Sequence, residues 1–141
     1  MLDEIGLFDD TFFLYFEETD LCLRAARAGW QTWYVTSSLV LHEGSSSTGM
    51  KRWTRTPQYW FDSRLYYFIK NHGRAYALLA TLARACGAAL WRLRVVLTGK
   101  PLLDPPYFLR DLIVHLARHI AQPVPTPAAP PRPDPVMEES K

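Results

Sequence analysis

The chain is poor in the features that mark secreted and membrane-spanning proteins. Its 141 residues contain only two cysteines, Cys22 and Cys86, too few and too far apart for a disulfide framework or a zinc site. Both fall in apolar, helix-forming stretches, where we expect reduced and buried thiols. No basic segment followed by an apolar run opens the sequence, so we expect no secretory signal. The best candidate for a transmembrane span, residues 75–91, is short and carries Arg84 at its middle, which argues against a span.

Acidic residues become scarce after position 20. Residues 1–20 hold seven acids and no base, whereas residues 21–122 hold fourteen Lys and Arg against four acids. Hydrophobic residues make up 48% of the chain and aromatics 13%, so the chain can bury a core. An acidic start before a basic body predicts a site for a cation or for base chemistry, next to a surface that favours phosphates or anionic lipid.

Periodicity and turn signals predict helices joined to a short β-rich segment. The helices are expected at residues 17–28, 58–70, 74–98 and 107–121, and the strands at 31–35 and 39–42. Carboxylates in the first turn and Gly29 just past the end support the first helix. From residue 123 the Pro- and Ala-rich composition predicts a disordered tail.

The predicted helix at 74–98 is amphipathic. Its apolar stripe consists of Ala75, Leu78, Leu79, Leu82, Cys86, Ala89, Leu90, Leu93 and Leu97. Four arginines fall on the opposite side. This pattern is typical of a helix that lies on a membrane surface and equally of one that packs on a neighbouring domain. We expect a mixture of the two.

Three carboxylates, those of Glu17, Glu18 and Asp20, stand at the start of the first predicted helix, directly after the aromatic run at residues 12–16. A carboxylate placed there can take a proton from an attacking alcohol. Acids in a first helical turn are also common without any catalytic role. His42, at a predicted strand end before a loop of small residues, suits a metal ligand, and equally a partly buried side chain.

The order and spacing of these residues resemble the second half of the catalytic domain in family 2 glycosyltransferases. The similarity covers residues 3–49 and is nearest to the rhamnosyltransferase-like branch that builds bacterial surface polysaccharides; residues 62–73 resemble it more loosely. It implies an α/β fold, with residues 1–50 forming the C-terminal part of a GT-A (Rossmann-like) domain. A helical region suited to a membrane surface would follow at 51–122, and the disordered tail at 123–141.

The resemblance also implies roles for individual residues. The family's acidic pair is usually Glu-Asp, and its second member deprotonates the acceptor hydroxyl; here that position is Glu18. Glu18 has one methylene more than the family's Asp, and Glu17 therefore stays an alternative candidate for the base. His42 matches the histidine that helps to hold a divalent cation, Mg²⁺ or Mn²⁺.

Substrate contacts are expected from Asp20 and from the basic residues Lys51, Arg52 and Arg64, although ordinary surface charge explains those three equally well. The implied reaction transfers a sugar from a nucleotide-diphosphate-sugar to a hydroxyl of a glycan or lipid-linked acceptor, with inversion, at the inner face of the cell membrane. The family's Asp-x-Asp motif for the nucleotide-sugar should lie upstream, and none precedes the acidic pair. We therefore expect a C-terminal part that is inactive by itself.

The composition is also compatible with two other classes of protein. The first is a non-catalytic membrane-surface or interaction protein derived from a truncated transferase. The second is a nucleic-acid-binding protein, suggested by the basic body and the aromatics at residues 53–70. Those aromatics have helical spacings that suit a core, and the sequence has no known RNA- or DNA-binding motif. We expect no nucleic-acid partner.

Overall fold

The computed structural model describes residues 1–41, 54–99, 105 and 107–123. Four helices account for the regular structure of this part of the chain: α1 (Leu2–Ile5), α2 (Glu17–Arg27), α3 (Gln58–Thr98) and α4 (Phe108–His119). The predicted helices at 17–28, 58–70, 74–98 and 107–121 are confirmed to within two residues at most ends.

The predicted α/β, GT-A-type fold is wrong: the described residues are helical and contain no strand. The segments expected as strands, 31–35 and the described part (39–41) of 39–42, form no ladder with any described residue. The amide of Ser38 donates to the Val35 carbonyl at 3.1 Å, a local turn between the two segments. Their side chains are in solvent, with Tyr34 92% and Leu39 97% exposed. A strand is stabilised by the ladder it forms with a neighbour and by burial of one face, and the described part of the chain provides neither for this segment. Its β-favouring residues therefore do not form a sheet.

Gly73 divides α3 into two segments. Its φ of 83° and ψ of 167° are not helical, and side chains other than glycine rarely adopt this positive φ. A Cβ at this position would meet nothing within 4 Å, so the backbone dihedral, not crowding, explains the glycine. The break allows the segment at 74–98 to turn away from the segment at 58–72.

The first segment of α3 is the centre of the core. Three small clusters of buried side chains surround it: Phe12 with Tyr66 and Tyr67; Phe61 with Phe108 and Leu112; Leu65 with Ala77 and Leu116. The first cluster joins this segment to the loop before α2, and the second joins it to α4. The third joins it to both α4 and the second α3 segment. Fully burying a large apolar side chain contributes about 1.5–3 kcal/mol. This central helix therefore holds the rest in place.

The leucine face of the second α3 segment points to solvent. Leu79, Leu90 and Leu97 are 65%, 67% and 76% exposed. The opposite side packs instead, through the small or β-branched residues Ala77, Thr81, Ala88 and Val95. We call the exposed surface formed by Leu79, Leu82, Leu90, Leu93 and Leu97 the leucine face. Its packing on another domain is not seen within the described residues.

Both cysteines are exposed, so the prediction of buried thiols is wrong. Cys22 lies on α2, and Cys86 lies on the second segment of α3. None of the helices in the described ranges combines the length and apolar composition needed to cross a bilayer.

Candidate functional site

Two consecutive aromatic residues enter α2 through strained backbone. Tyr15 and Phe16 both have a φ of 70°, a left-handed conformation that is a genuine outlier for bulky side chains and costs of order 1–3 kcal/mol per residue. Packing holds them there: Tyr15 stacks on Tyr59 with ring centroids 6.3 Å apart, and Phe16 lies 5.6 Å from Tyr67. The strain places Glu17 at the first position of α2. Strain of this kind often accompanies functional sites.

The acidic pair occupies two different environments. Glu18 is exposed, whereas Glu17 is half-buried. The Oε2 atom of Glu17 is shielded from solvent and has no hydrogen-bond partner among the described residues. Leaving a buried acceptor unsatisfied costs about 1–3 kcal/mol, and more for a charged group. Buried polar atoms in native proteins nearly always have a hydrogen-bond partner, so an unpaired oxygen at this position marks Glu17 as unusual. The pair thus presents one accessible carboxylate beside one that is partly shielded from solvent.

Asp20 is fully buried and saturated with donors. Its carboxylate accepts hydrogen bonds of 2.8 Å from Arg24 Nε, from Lys70 Nζ and from Asn71 Nδ2. Burial alone would raise the pKa of Asp20, but the donors outweigh it and the pKa is lowered. These contacts fix α2 against the end of the first α3 segment. They give Asp20 a structural role; a contact with substrate stays a prediction.

Asp9 shares the same ammonium group. Lys70 Nζ lies 2.7 Å from Asp9 Oδ2, which also accepts a 2.8 Å hydrogen bond from the Tyr66 hydroxyl. Burial opposes ionisation of Asp9, but these donors and the Thr11 amide hold its pKa at about 2. Burial, together with Asp9 as its acceptor, raises the pKa of Tyr66 to about 12. We call Asp9, Asp20 and Lys70 the buried ion cluster.

Sequence reasoning missed this cluster. Lys70 and Asn71 lie near the end of the first α3 segment, after its aromatic residues. A polar pair in that position is a sequence signal for such a cluster. Asp9 lay inside the segment that resembles the glycosyltransferases, but no role was assigned to it. The contacts join residues 50 and 61 positions apart, which local patterns do not reveal.

Arg24 connects the chain start to α2. Its guanidinium donates to the carbonyl oxygens of Ile5, of Gly6 at 3.4 Å and of Leu7 at 2.6 Å, besides its bond to Asp20. One planar fork thus satisfies several backbone acceptors and a buried carboxylate. The loop before Asp9 is consequently fixed to the same helix as the acidic pair.

Arg64, a predicted diphosphate contact, is buried within α3. Its Nη1 donates to Thr81 Oγ1 at 2.8 Å and its Nη2 to the Ala80 carbonyl at 3.2 Å, and the guanidinium lies over the Phe68 ring at 4.8 Å. The pKa of Arg64 is lowered, mainly by burial and to a smaller extent by the charge of Arg84. Arg64 therefore braces the two α3 segments across Gly73. A contact with diphosphate stays a prediction.

Three predicted site residues, His42, Lys51 and Arg52, lie outside the described residues. Within the described ranges, no group of three or more His, Cys, Asp or Glu side chains is placed to hold a metal ion. Asp9 and Asp20 are already paired with Lys70, and Asp20 also with Arg24, so they do not offer such a site. The metal remains a prediction that depends on His42.

A cavity of about 350 Å³ lies between the loop at residues 11–13, the first α3 segment and α4. Phe13 and Tyr59 line it, together with a His115–Asp62 pair in which Nε2 and Oδ1 are 2.6 Å apart. Burial lowers the pKa of His115, against the opposing effect of Asp62. Neither member of the acidic pair, Glu17 or Glu18, lines this cavity.

Comparison with known proteins finds a partial relative. The chain is 46% identical over 46 residues to the N-acetylglucosaminyl-diphospho-decaprenol L-rhamnosyltransferase of Mycobacterium tuberculosis, in two strains. The match covers 33% of this chain and 15% of the relative's length. No protein-family model matches the chain, and no solved structure matches it either. The chain is thus similar, over one segment, to a rhamnosyltransferase.

Proposed function

We propose that the chain takes part in glycosyl transfer, moving a sugar from a nucleotide-diphosphate-sugar to a hydroxyl of a glycan or lipid-linked acceptor in cell-surface polysaccharide synthesis. The observation that carries this proposal is the 46% identity over 46 residues to a rhamnosyltransferase. The strained entry to α2 and the unsatisfied oxygen of Glu17 support a functional role for the acidic pair.

Glu18 is the proposed general base. Its carboxylate is exposed at the start of α2, where an acceptor hydroxyl can reach it. As the hydroxyl oxygen forms its bond to the anomeric carbon, its proton passes to Glu18 and the bond to the diphosphate oxygen breaks on the opposite face. Direct displacement of this kind inverts the anomeric carbon. Glu17, held by burial, keeps the site in shape.

The other predicted site residues take supporting roles in this proposal. His42 is the proposed ligand of a divalent cation, Mg²⁺ or Mn²⁺, which would neutralise charge on the departing diphosphate. Lys51 and Arg52 are proposed contacts of the same diphosphate. Asp20 and Arg64, given their contacts, act by positioning α2 and the α3 segments. Residues 1–50 would form the catalytic part and residues 51–122 a helical accessory region.

The leucine face supports a peripheral contact with the inner face of the cell membrane. A row of exposed leucines on one side of a helix is an apolar patch of the kind that marks an interaction or membrane surface. The relative's name specifies a decaprenol-linked substrate, and an enzyme that acts on such a lipid must approach the bilayer. The same face also favours the second candidate, a non-catalytic membrane-surface protein.

A chimera separates the two candidates. In it, the 46 residues of the mycobacterial rhamnosyltransferase that match this chain are replaced by the corresponding residues of this chain. We expect the chimera to retain transfer, measured as radiolabelled rhamnose in the lipid-linked product. In the same chimera, Glu18→Gln should lower the rate by about 10²–10⁴-fold, because an amide cannot accept the proton.

Glu17→Gln and Asp20→Asn serve as matched controls that remove one charge from the same neighbourhood. We expect a smaller loss at Glu17, and at Asp20 a loss that follows protein stability. A folded but inactive chimera would favour the non-catalytic protein. Equal rate losses at all three positions would show that Glu18 is not the base.

A further inference from the structure

A second cavity, of about 470 Å³, lies between the beginning of α3 and one side of α4. Arg55, Arg110 and Arg118 line it, and Asp111 is its only carboxylate-bearing residue among those described. Three guanidinium groups against one carboxylate leave a net charge of +2. His115, which also lines the cavity, has its pKa lowered chiefly by burial. We call this cavity the basic groove.

The three arginines differ in how far they are already engaged. Arg55 forms a two-pronged ion pair with Asp111, with distances of 2.7 and 2.8 Å. Arg110 has its guanidinium 5.8 Å from the Tyr107 ring centroid, a contact that leaves its N–H donors available. Arg118 has no ion pair or hydrogen bond to any described residue and is exposed. At least two guanidinium groups are therefore available to a ligand.

The amino end of α3 opens into the same groove. Pro57 and Gln58 line it, and α3 begins there with no side-chain cap and no acid in its first turn. The first N–H groups of a helix lack i−4 partners within the helix, and the helix dipole places partial positive charge at this end. In α3 the Trp60 amide is taken by the Pro57 carbonyl at 3.2 Å. Helix ends of this kind bind phosphate groups. Three guanidinium groups and an uncapped helix end thus converge on one cavity.

We infer that the basic groove binds a phosphate group carrying about two negative charges, as a phosphomonoester or a diphosphate. Arg110 and Arg118 supply bidentate donors for its oxygens, the amino end of α3 supplies backbone donors, and the net charge of the groove is neutralised. This inference goes beyond the proposed function, because Glu17 and Glu18 do not line the groove and binding requires no sugar transfer. A soluble phosphate compound and a lipid head group share this chemistry.

The test uses the full chain and two probes. Isothermal titration with inorganic pyrophosphate measures the soluble source. Co-sedimentation with phosphatidylcholine vesicles, with and without 20% phosphatidic acid, measures the lipid source. We expect saturable binding to pyrophosphate, or binding to vesicles that requires phosphatidic acid. Either result supports the groove and identifies the source.

Arg118→Ala tests the location, because Arg118 has no described partner to lose. We expect it to weaken binding about tenfold or more, since a charge-assisted hydrogen bond contributes at least one such factor. Arg94→Ala is the matched control: it removes one exposed arginine that stacks on Trp91, away from the groove. It should bind like the wild type. Arg118→Gln provides a second variant if Arg118→Ala alters the circular dichroism spectrum.

Two outcomes would overturn the inference. One is the absence of binding to pyrophosphate together with no effect of phosphatidic acid. The other is an equal loss in Arg118→Ala and Arg94→Ala, which would indicate general charge attraction. Because both assays measure binding alone, an inactive rhamnosyltransferase chimera would not affect them.

Discussion

The ammonium of Lys70 lies 2.8 Å from the carboxylate of Asp20, and this contact joins the helix that carries the acidic pair to the central helix of the core. The same ammonium is 2.7 Å from Asp9. Lys70 therefore links two buried carboxylates, and Arg24 supplies the second positive charge through its contact with Asp20. The position of Glu17 and Glu18 depends on these contacts.

Replacing Lys70 by Met should destabilise the protein strongly. The change keeps most of the side-chain volume but leaves Asp9 and Asp20 buried without their shared cation, which typically costs about 3–5 kcal/mol. Urea unfolding followed by circular dichroism measures this loss. Arg94→Met, which removes an exposed cation, should change the free energy of unfolding by less than about 1 kcal/mol. A Lys70→Met variant as stable as this control would contradict a structural role for the buried ion cluster.

Acid should destabilise the protein in a defined pH window. The folded-state pKa of Asp9 is about 2 and that of Asp20 is lowered, so both groups favour folding when ionised. Their contribution is complete above the unfolded value near 4 and is lost as the pH falls from about 4 through 2. For Asp9 it amounts to about 2 kcal/mol.

Thermal unfolding measured at pH 7, 4, 3 and 2 checks this window. Asp9→Asn should reduce the drop between pH 4 and pH 2 relative to the wild type, because its amide does not titrate. A wild-type stability that stays constant or rises as the pH falls below 4 would exclude the assigned sign.

The hydrogen bond between Arg64 and Thr81, which joins the two α3 segments across Gly73, should be measurable as a coupling energy between these residues. Arg64→Met removes the donor to Thr81 and leaves that buried hydroxyl unsatisfied, at an expected cost of about 1–3 kcal/mol. In the double variant Arg64→Met with Thr81→Val, part of that cost should disappear. A double-mutant cycle of unfolding free energies should yield a coupling of about 0.5–3 kcal/mol. Strict additivity would mean that the contact does not stabilise the angle between the segments.

The leucine face should control binding to membranes without affecting the fold. Leu90→Glu should weaken co-sedimentation with bilayer vesicles about tenfold, because each buried leucine contributes about 1.5–3 kcal/mol. Ile113→Glu is the matched control, since Ile113 is 49% exposed but lies on α4. Both changes should leave the unfolding free energy within about 0.5 kcal/mol, as surface substitutions do. Equal binding by the two variants would remove the leucine face from any membrane contact.

The sequence predicted the helices because their signals are local. Acids in the first turn and a positive-φ glycine after the end delimit α2, and Gly29 indeed has a φ of 86°. It was harder to predict which side of the second α3 segment packs, because its leucines form the most apolar stripe in the sequence, and yet that stripe is exposed. Ala77, buried between Leu65 and Leu116, allows the neighbouring helices to approach closely on the other side.

The site could be predicted only in part, for the same physical reason. Glu17 and Glu18 were placed by their position in a helix, and that placement is local. The buried ion cluster depends on which distant side chain meets Asp9 and Asp20, and no spacing in the sequence encodes Lys70 as that partner. The prediction of strands at 31–35 and 39–42 was wrong because a strand requires a neighbouring strand. β-favouring residues alone do not supply that neighbour.

The long sequence separation within the buried ion cluster bears on biosynthesis. Asp9 and Asp20 are synthesised before their shared partner Lys70, which follows 61 and 50 residues later. Synthesis proceeds at about 5–20 residues per second, so several seconds pass before Lys70 is made. During that time Arg24 is available to Asp20, but Asp9 has no ammonium partner. The contacts of Lys70 that fix the helix of the acidic pair can therefore form only after residue 70 has been made, so this site depends on contacts that are distant in sequence.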